Sequence, residues 1–152
     1  MNCDLLRLYL VADTSVCGAD NLIGTVSAAV RGGVTLVQLR DKTATTASRI
    51  DAARALKHAL DGTGVPLIIN DDLGAALATD ADGLHVGQDD LAPRAARTRI
   101  GPDRLLGLSC ETAETVRAAP AGIVDYLGIG PVFATGTKPD HKPAIGLDGL
   151  AS

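Results

Sequence analysis

Short apolar runs alternate with one-faced amphipathic segments from one end of the chain to the other, and this alternation limits the folds open to it more than any other feature. Residues 5–13, 34–41 ("VTLVQLRD"), 66–71 ("PLIIND"), 83–87 ("GLHVG"), 105–111 ("LLGLSCE") and 126–133 ("YLGIGPVF") each read as a strand. The clearest helix runs from about Thr45 to Leu60. There Ala52, Ala53, Leu56, Ala59 and Leu60 form one apolar stripe, opposed by Arg49, Asp51, Arg54 and Lys57. Strands that alternate with helices of this kind build a parallel sheet covered by helices, either doubly wound or closed into a barrel.

The residues at the strand ends favour the barrel. Asp13, Arg40, Asn70, Gln88 and Ser109 stand at the C-terminal side of successive runs, and a polar loop follows Pro131. A doubly wound sheet gathers its binding groups at one or two switch-point loops, whereas a (β/α)₈ barrel recruits them from most strand ends around one mouth. No dinucleotide fingerprint competes: Gly128 and Gly130 are followed by Phe133 where a third glycine is needed, and "TGTK" lacks the spacing of a Walker loop.

Composition narrows the function. With 152 residues and three aromatics, the chain suits one domain whose core is built from Ala, Val, Leu and Ile. A net charge of -4 with interspersed signs excludes a basic nucleic-acid or membrane-surface face, so any anionic ligand must be held by local cations. No run is long enough for a membrane span. Cys3, Cys17 and Cys110 share no metal-type spacing, no secretory segment precedes them, and they read as ordinary thiols of a cytoplasmic protein.

"VQLRDK" (37–42) supplies such cations. Along an extended chain Gln38, Arg40 and Lys42 point to the same face and converge on a small volume suited to an anion.

Together with "LIINDD" (67–72), "ADGLHVGQDDL" (81–91), "GLSCET" (107–112) and "VDYLGIGPVFATGTKPD" (124–140), this segment resembles the ordered motifs of the thiamine-phosphate synthase family. The resemblance implies a TIM (β/α)₈ barrel, of which about six βα units are present as a single domain over residues 1–152. It implies condensation of 4-amino-2-methyl-5-(diphosphomethyl)pyrimidine with 4-methyl-5-(2-phosphoethyl)thiazole, giving thiamine phosphate and pyrophosphate, with Mg²⁺ as cofactor. It also implies the site. The segment Gln38, Leu39, Arg40, Asp41 and Lys42 would meet the pyrimidine diphosphate, as would Asn70 and Ser109. Asp71 and Asp90 would hold Mg²⁺. Thr135, Gly136 and Thr137 would meet the thiazole phosphate, and Lys138 would add a cation at the diphosphate. Arg40, Lys42, Ser109 and Lys138 would act on the reacting centre.

Read singly, the same residues have plainer roles. The acids of "NDD" and "QDDL" suit helix N-caps, and Asp72 and Asp89 are kept either as caps or as supports behind the metal ligands. Lys42 suits a solvated loop, and Arg40 an ion pair with Asp41 or a neighbouring strand. Residues 134–145 read as a surface loop or as a lid. His85 falls inside a strand and is expected in the barrel interior; His58 and His141 are expected at the surface. Cys110 has no histidine placed to activate it. A thiazole tautomerase is disfavoured, because that relative carries a histidine two residues past the serine and Glu111 stands here. A third reading is a non-catalytic ligand-binding remnant. Six strands leave a barrel open, so the expectation is a fragment or one part of an assembly, inactive alone and prone to self-association through unpaired edges.

Overall fold

The computed structural model describes residues 2–134 and 143–151. Six strands form one sheet: β1 (Tyr9–Asp13), β2 (Leu36–Arg40), β3 (Leu67–Asn70), β4 (Gly83–Val86), β5 (Leu105–Cys110) and β6 (Tyr126–Ile129). All pairings are parallel and the spatial order follows the chain order. A doubly wound sheet reverses its strand order at a switch point. No reversal occurs here, which removes that alternative.

The helices are α1 (Thr14–Cys17), α2 (Leu22–Arg31), α3 (Thr46–Leu60), α4 (Leu73–Ala78), α5 (Pro93–Ile100), α6 (Ala113–Ala118) and α7 (Gly146–Ala151). The expected helix at Thr45–Leu60 is α3, with Thr45 as its cap: the hydroxyl accepts from Ser48 N–H at 3.2 Å. Its buried stripe is Ala53, Leu56 and Leu60.

Register assigns every strand residue to a face. Val37, Leu39, Leu67, Ile69, Leu84, Val86, Leu106, Leu108 and Cys110 point outward and pack with Val26, Leu56, Ala76 and Ile100 of the covering helices as the main core. The alternate residues, among them Tyr9, Gln38, Asn70, His85, Gly107, Ser109 and Tyr126, point to the concave side. Central strands are thus covered on both faces, which is why their sequences read as unbroken apolar runs.

The sheet is strongly curled. Laid flat, six strands would hold β1 and β6 about 24 Å apart, yet the Tyr9 and Tyr126 hydroxyls are 2.7 Å from each other across the concave side. Six parallel strands in a half-barrel are the observed architecture.

The expected strand ends ran long. The run 5–13 divides into a 3₁₀ turn at Cys3–Leu6 and β1, and the run 126–133 stops at Ile129. Pro131, which offers no N–H to a ladder, follows at once.

Candidate active site

The C-terminal ends of β1 to β5 meet at one rim of the half-barrel, and the anion-binding candidates gather there. Arg40 closes β2 beside Asp13, its register partner at the end of β1, and the two form a largely buried ion pair through Arg40 Nη1 and Asp13 Oδ2. The ion pair considered for Arg40 is therefore made with the neighbouring strand, not with Asp41. Asp13 also caps α1, accepting from Ser15 N–H at 2.9 Å and from the Ser15 hydroxyl at 2.6 Å. Burial pushes the Asp13 carboxyl up, but the bonds from Ser15 and the Arg40 guanidinium outweigh it and hold the group below its usual value. One acid thus fixes the position of the arginine, which retains further N–H donors on its planar fork.

Asp41 turns its carboxylate onto its own loop, accepting from Thr43 N–H at 3.1 Å and Ala44 N–H at 2.9 Å. Leu39 lies in the outer core with 1% exposure, which leaves only its backbone to face a ligand.

Asp71 follows β3 in a left-handed conformation, φ 61°, and its N–H donates to the His85 carbonyl at 2.8 Å, tying the strand end to β4. This turn aims the carboxylate at two groups at once. Lys42 Nζ forms a salt bridge to Asp71 Oδ2, and the Asp90 carboxyl approaches Asp71 from the loop after β4. Asp90 Oδ2 accepts in turn from Gly87 N–H at 2.8 Å. A Cβ on Gly87 would lie 2.9 Å from that oxygen, so only glycine lets the acid come so close. Burial and the adjacent Asp90 charge raise Asp71 above its usual value against the pull of Lys42. Asp90 is also pushed up by desolvation, but the contact with Asp71, the bond from Gly87 N–H and the charge of Lys42 bring it below its usual value.

Two adjacent carboxylates, one of them drawing an ammonium onto itself, favour further positive charge beside them. Hard oxygen donors from two strand ends suit Mg²⁺, which accepts few protein carboxylates and fills its shell with water and phosphate oxygens. Consistent with so sparse a set, no group of three or more His, Cys, Asp or Glu able to hold a metal occurs among the described residues.

The neighbouring acids divide as expected in one case. Asp72 caps α4, accepting from Ala75 N–H at 2.9 Å, and receives Arg49 Nη1 at 2.6 Å. Asp89 is exposed. Asp90 likewise caps no helix among the described residues, and its carboxylate stays at the rim beside Asp71.

Asn70 and Ser109 face the concave side below this rim. Ser109 Oγ lies 2.9 Å from His85 Nε2, and Gln88 Nε2 donates to the Ser109 carbonyl at 2.6 Å. His85 is in the interior, as its place in a strand implied. Tyr9 and Tyr126, which sequence reasoning passed over, join Gln38 to His85 through their hydroxyls. Their signal was present: they are two of the three aromatics in the chain and both fall on inward strand positions. Thr135, Gly136, Thr137, Lys138 and His141 lie outside the described residues.

Comparison with known proteins matches this arrangement to one family. The family model described as thiamine monophosphate synthase matches residues 8–152. The thiamine-phosphate synthase of Xanthobacter autotrophicus is 52% identical over 141 residues, 93% of this chain and 67% of that protein. That of a Psychrobacter species is 47% identical over 152 residues, 98% of this chain and 71% of its own length. Among solved structures, the thiamine phosphate pyrophosphorylase of Pyrococcus furiosus superposes with a TM-score of 0.82 at 30% identity, covering 97% of this chain and 68% of that one. With a rim of paired acids and cations on a half-barrel and these matches along nearly its whole length, the chain belongs to the thiamine monophosphate synthase family.

Proposed function

We propose that the chain acts as a thiamine-phosphate synthase, a transferase that joins 4-amino-2-methyl-5-(diphosphomethyl)pyrimidine to 4-methyl-5-(2-phosphoethyl)thiazole and releases pyrophosphate. The observation that carries the proposal is the Lys42–Asp71–Asp90 cluster beside Arg40 at the rim, one place where a diphosphate meets both fixed cations and hard oxygen donors. The names and identities of the relatives support the same reaction. In this reading the domain is a (β/α)₈ barrel to which these residues contribute six βα units. Its partners are small phosphorylated substrates, and the free thiols of Cys3, Cys17 and Cys110 suit the cytoplasm. Among the described residues no helix is long and apolar enough to cross a membrane.

The chemistry asks little of a nucleophile or base. The C–O bond to the diphosphate breaks, the electron pair leaves with pyrophosphate, and the thiazole nitrogen attacks the methylene carbon left on the electron-rich aminopyrimidine. The protein must neutralise the departing charge and keep the two rings in line. Arg40, anchored by Asp13, gives bidentate recognition of phosphate oxygens, and Lys42 supplies a mobile point charge. Asn70 and Ser109 offer hydrogen bonds to the pyrimidine on the concave side. Asp71 and Asp90 would hold Mg²⁺, which when bound offsets diphosphate charge. Lys138 is proposed as a further cation and Thr135, Gly136 and Thr137 as thiazole-phosphate contacts.

Titration calorimetry with the pyrimidine diphosphate, with and without Mg²⁺, tests this reading. Affinity is expected to depend on Mg²⁺ and to lose that dependence in Asp71→Asn and in Asp90→Asn, while Asp89→Asn behaves as wild type. Equal effects of Asp71→Asn and Asp89→Asn would overturn the metal assignment. Absence of binding with Mg²⁺ present would overturn the synthase reading.

A further inference from the structure

Beneath the rim, four hydrogen bonds link five inward-facing side chains on five strands. Gln38 Nε2 donates to Tyr9 Oη at 2.7 Å. Tyr9 Oη lies 2.7 Å from Tyr126 Oη. Tyr126 Oη lies 3.1 Å from His85 Nδ1, and His85 Nε2 lies 2.9 Å from Ser109 Oγ. Gln38, His85 and Tyr126 are each under 10% exposed, at 4%, 7% and 6%. Room for the junction is made by Gly107, where a Cβ would lie 2.3 Å from Tyr126 Cζ and 2.4 Å from His85 Nδ1. Gly128 flanks the same imidazole, with a Cβ position 3.2 Å from His85 Cε1.

Each proton in this chain has one direction open to it. The amide nitrogen of Gln38 only donates, so Tyr9 accepts there and gives its own proton to Tyr126. Tyr126 then gives its proton to His85 Nδ1, which must present a lone pair. A neutral imidazole with a bare Nδ1 carries its proton on Nε2 and donates it to Ser109 Oγ. Ser109 accepts from His85 and directs its own proton elsewhere. Reversed, the chain would make Tyr9 accept twice and leave its proton without an acceptor among the described residues. Burial also raises both phenols above their usual values, so each keeps a proton to give.

We propose that Tyr9 and Tyr126 are positioning residues: through His85 they fix the Ser109 hydroxyl as a donor toward the site, so the ligand group it meets is a bare acceptor such as an aromatic ring nitrogen. The ligand half of this proposal rests on the synthase reading, whereas the polarity of the chain does not. A pyrimidine offers ring nitrogens of this kind. A ligand presenting N–H or C–H at the same point would leave the Ser109 proton unpaired, and an unpaired buried donor is penalised more than a missing contact.

Two measurements test it. Long-range ¹H–¹⁵N correlation spectra of the whole chain at neutral pH report the His85 tautomer, with His58→Gln and His141→Gln giving the assignment. The expected result is the Nε2–H form, with an Nδ1 shift that moves toward the free-imidazole value in Tyr126→Phe. An Nδ1–H form in the wild type, or an Nδ1 shift indifferent to Tyr126→Phe, would overturn the proposal. Calorimetry with Mg²⁺ then compares the pyrimidine diphosphate with the two analogues in which one or the other ring nitrogen is replaced by CH. One analogue is expected to bind up to about tenfold more weakly, and Ser109→Ala should abolish that difference. Equal binding of all three ligands to the wild type would overturn the donor role of Ser109. Failure of every ligand to bind would overturn the synthase reading and the ligand half with it, while the tautomer still decides the polarity of the chain.

Discussion

At the rim, two cations from the same hexapeptide have opposite settings, and this difference sets what their removal should do. Arg40 is buried against Asp13, whereas the Lys42 side chain is 47% exposed against Asp71. Lys42→Ala should leave the melting temperature nearly unchanged and weaken the pyrimidine diphosphate by tenfold or more, since a charge-assisted contact is worth about 1.5–3 kcal/mol. Arg40→Ala should weaken the same ligand and also destabilise the fold by about 1–3 kcal/mol, because Asp13 is left buried without its cation. Calorimetry paired with thermal melts separates the two effects. The sign of the Asp13 contribution is set by its lowered value in the fold. The stabilisation is present above the unfolded value of about 4 and is lost as pH falls through the folded one. Asp13→Asn should therefore melt below wild type at neutral pH, and the two curves should converge in acid. That Gln38 and Arg40 share a face was legible from period-two spacing, but the partners were not. Asp13 lies 27 positions from Arg40 and Asp71 lies 29 from Lys42, and only the parallel register brings them together.

Among the elements, strand identity was legible and strand ends were not. Apolar runs mark what is buried, but β pairing stops where the ladder loses its partner, so β1 begins at Tyr9 and β6 ends at Ile129 inside longer apolar stretches. Helix α3 could be located closely because a capping threonine and a one-sided stripe both register in sequence. The glycine in the middle of β5 gave no such signal, since a glycine inside a strand can equally mark a bulge. Its reason is steric: the Tyr126 ring and the His85 imidazole occupy the space a methyl group would take. Gly107→Ala should consequently cost several kcal/mol, about 3 or more by the scale of core overpacking. Denaturant titration checks this. Gly101→Ala, on the surface with no atom near its Cβ position, controls for strain alone through its φ of 83°.

The curl of the sheet was the molecular property hardest to foresee. Alternating strands and helices implied a covered parallel sheet, and the spread of polar strand ends favoured closure, but curvature appears only when inward residues of distant strands touch. Here the touch is between Tyr9 and Tyr126, 117 residues apart in sequence. That bond has a kinetic meaning. Joining ends so far apart costs closure entropy that no nearby contact offsets beforehand. Neighbouring βα units can pair in chain order, each over a short separation, so the two tyrosines meet after most of the sheet exists. During synthesis the first strand lacks its inner partner until the sixth has emerged. Tyr9→Phe should therefore leave the refolding rate almost unchanged and speed unfolding, the signature of an interaction absent from the transition state. A chevron whose folding limb slows instead would place the meeting of β1 and β6 early. The hydroxyl pair is then a latch, made last on the way in and broken first on the way out.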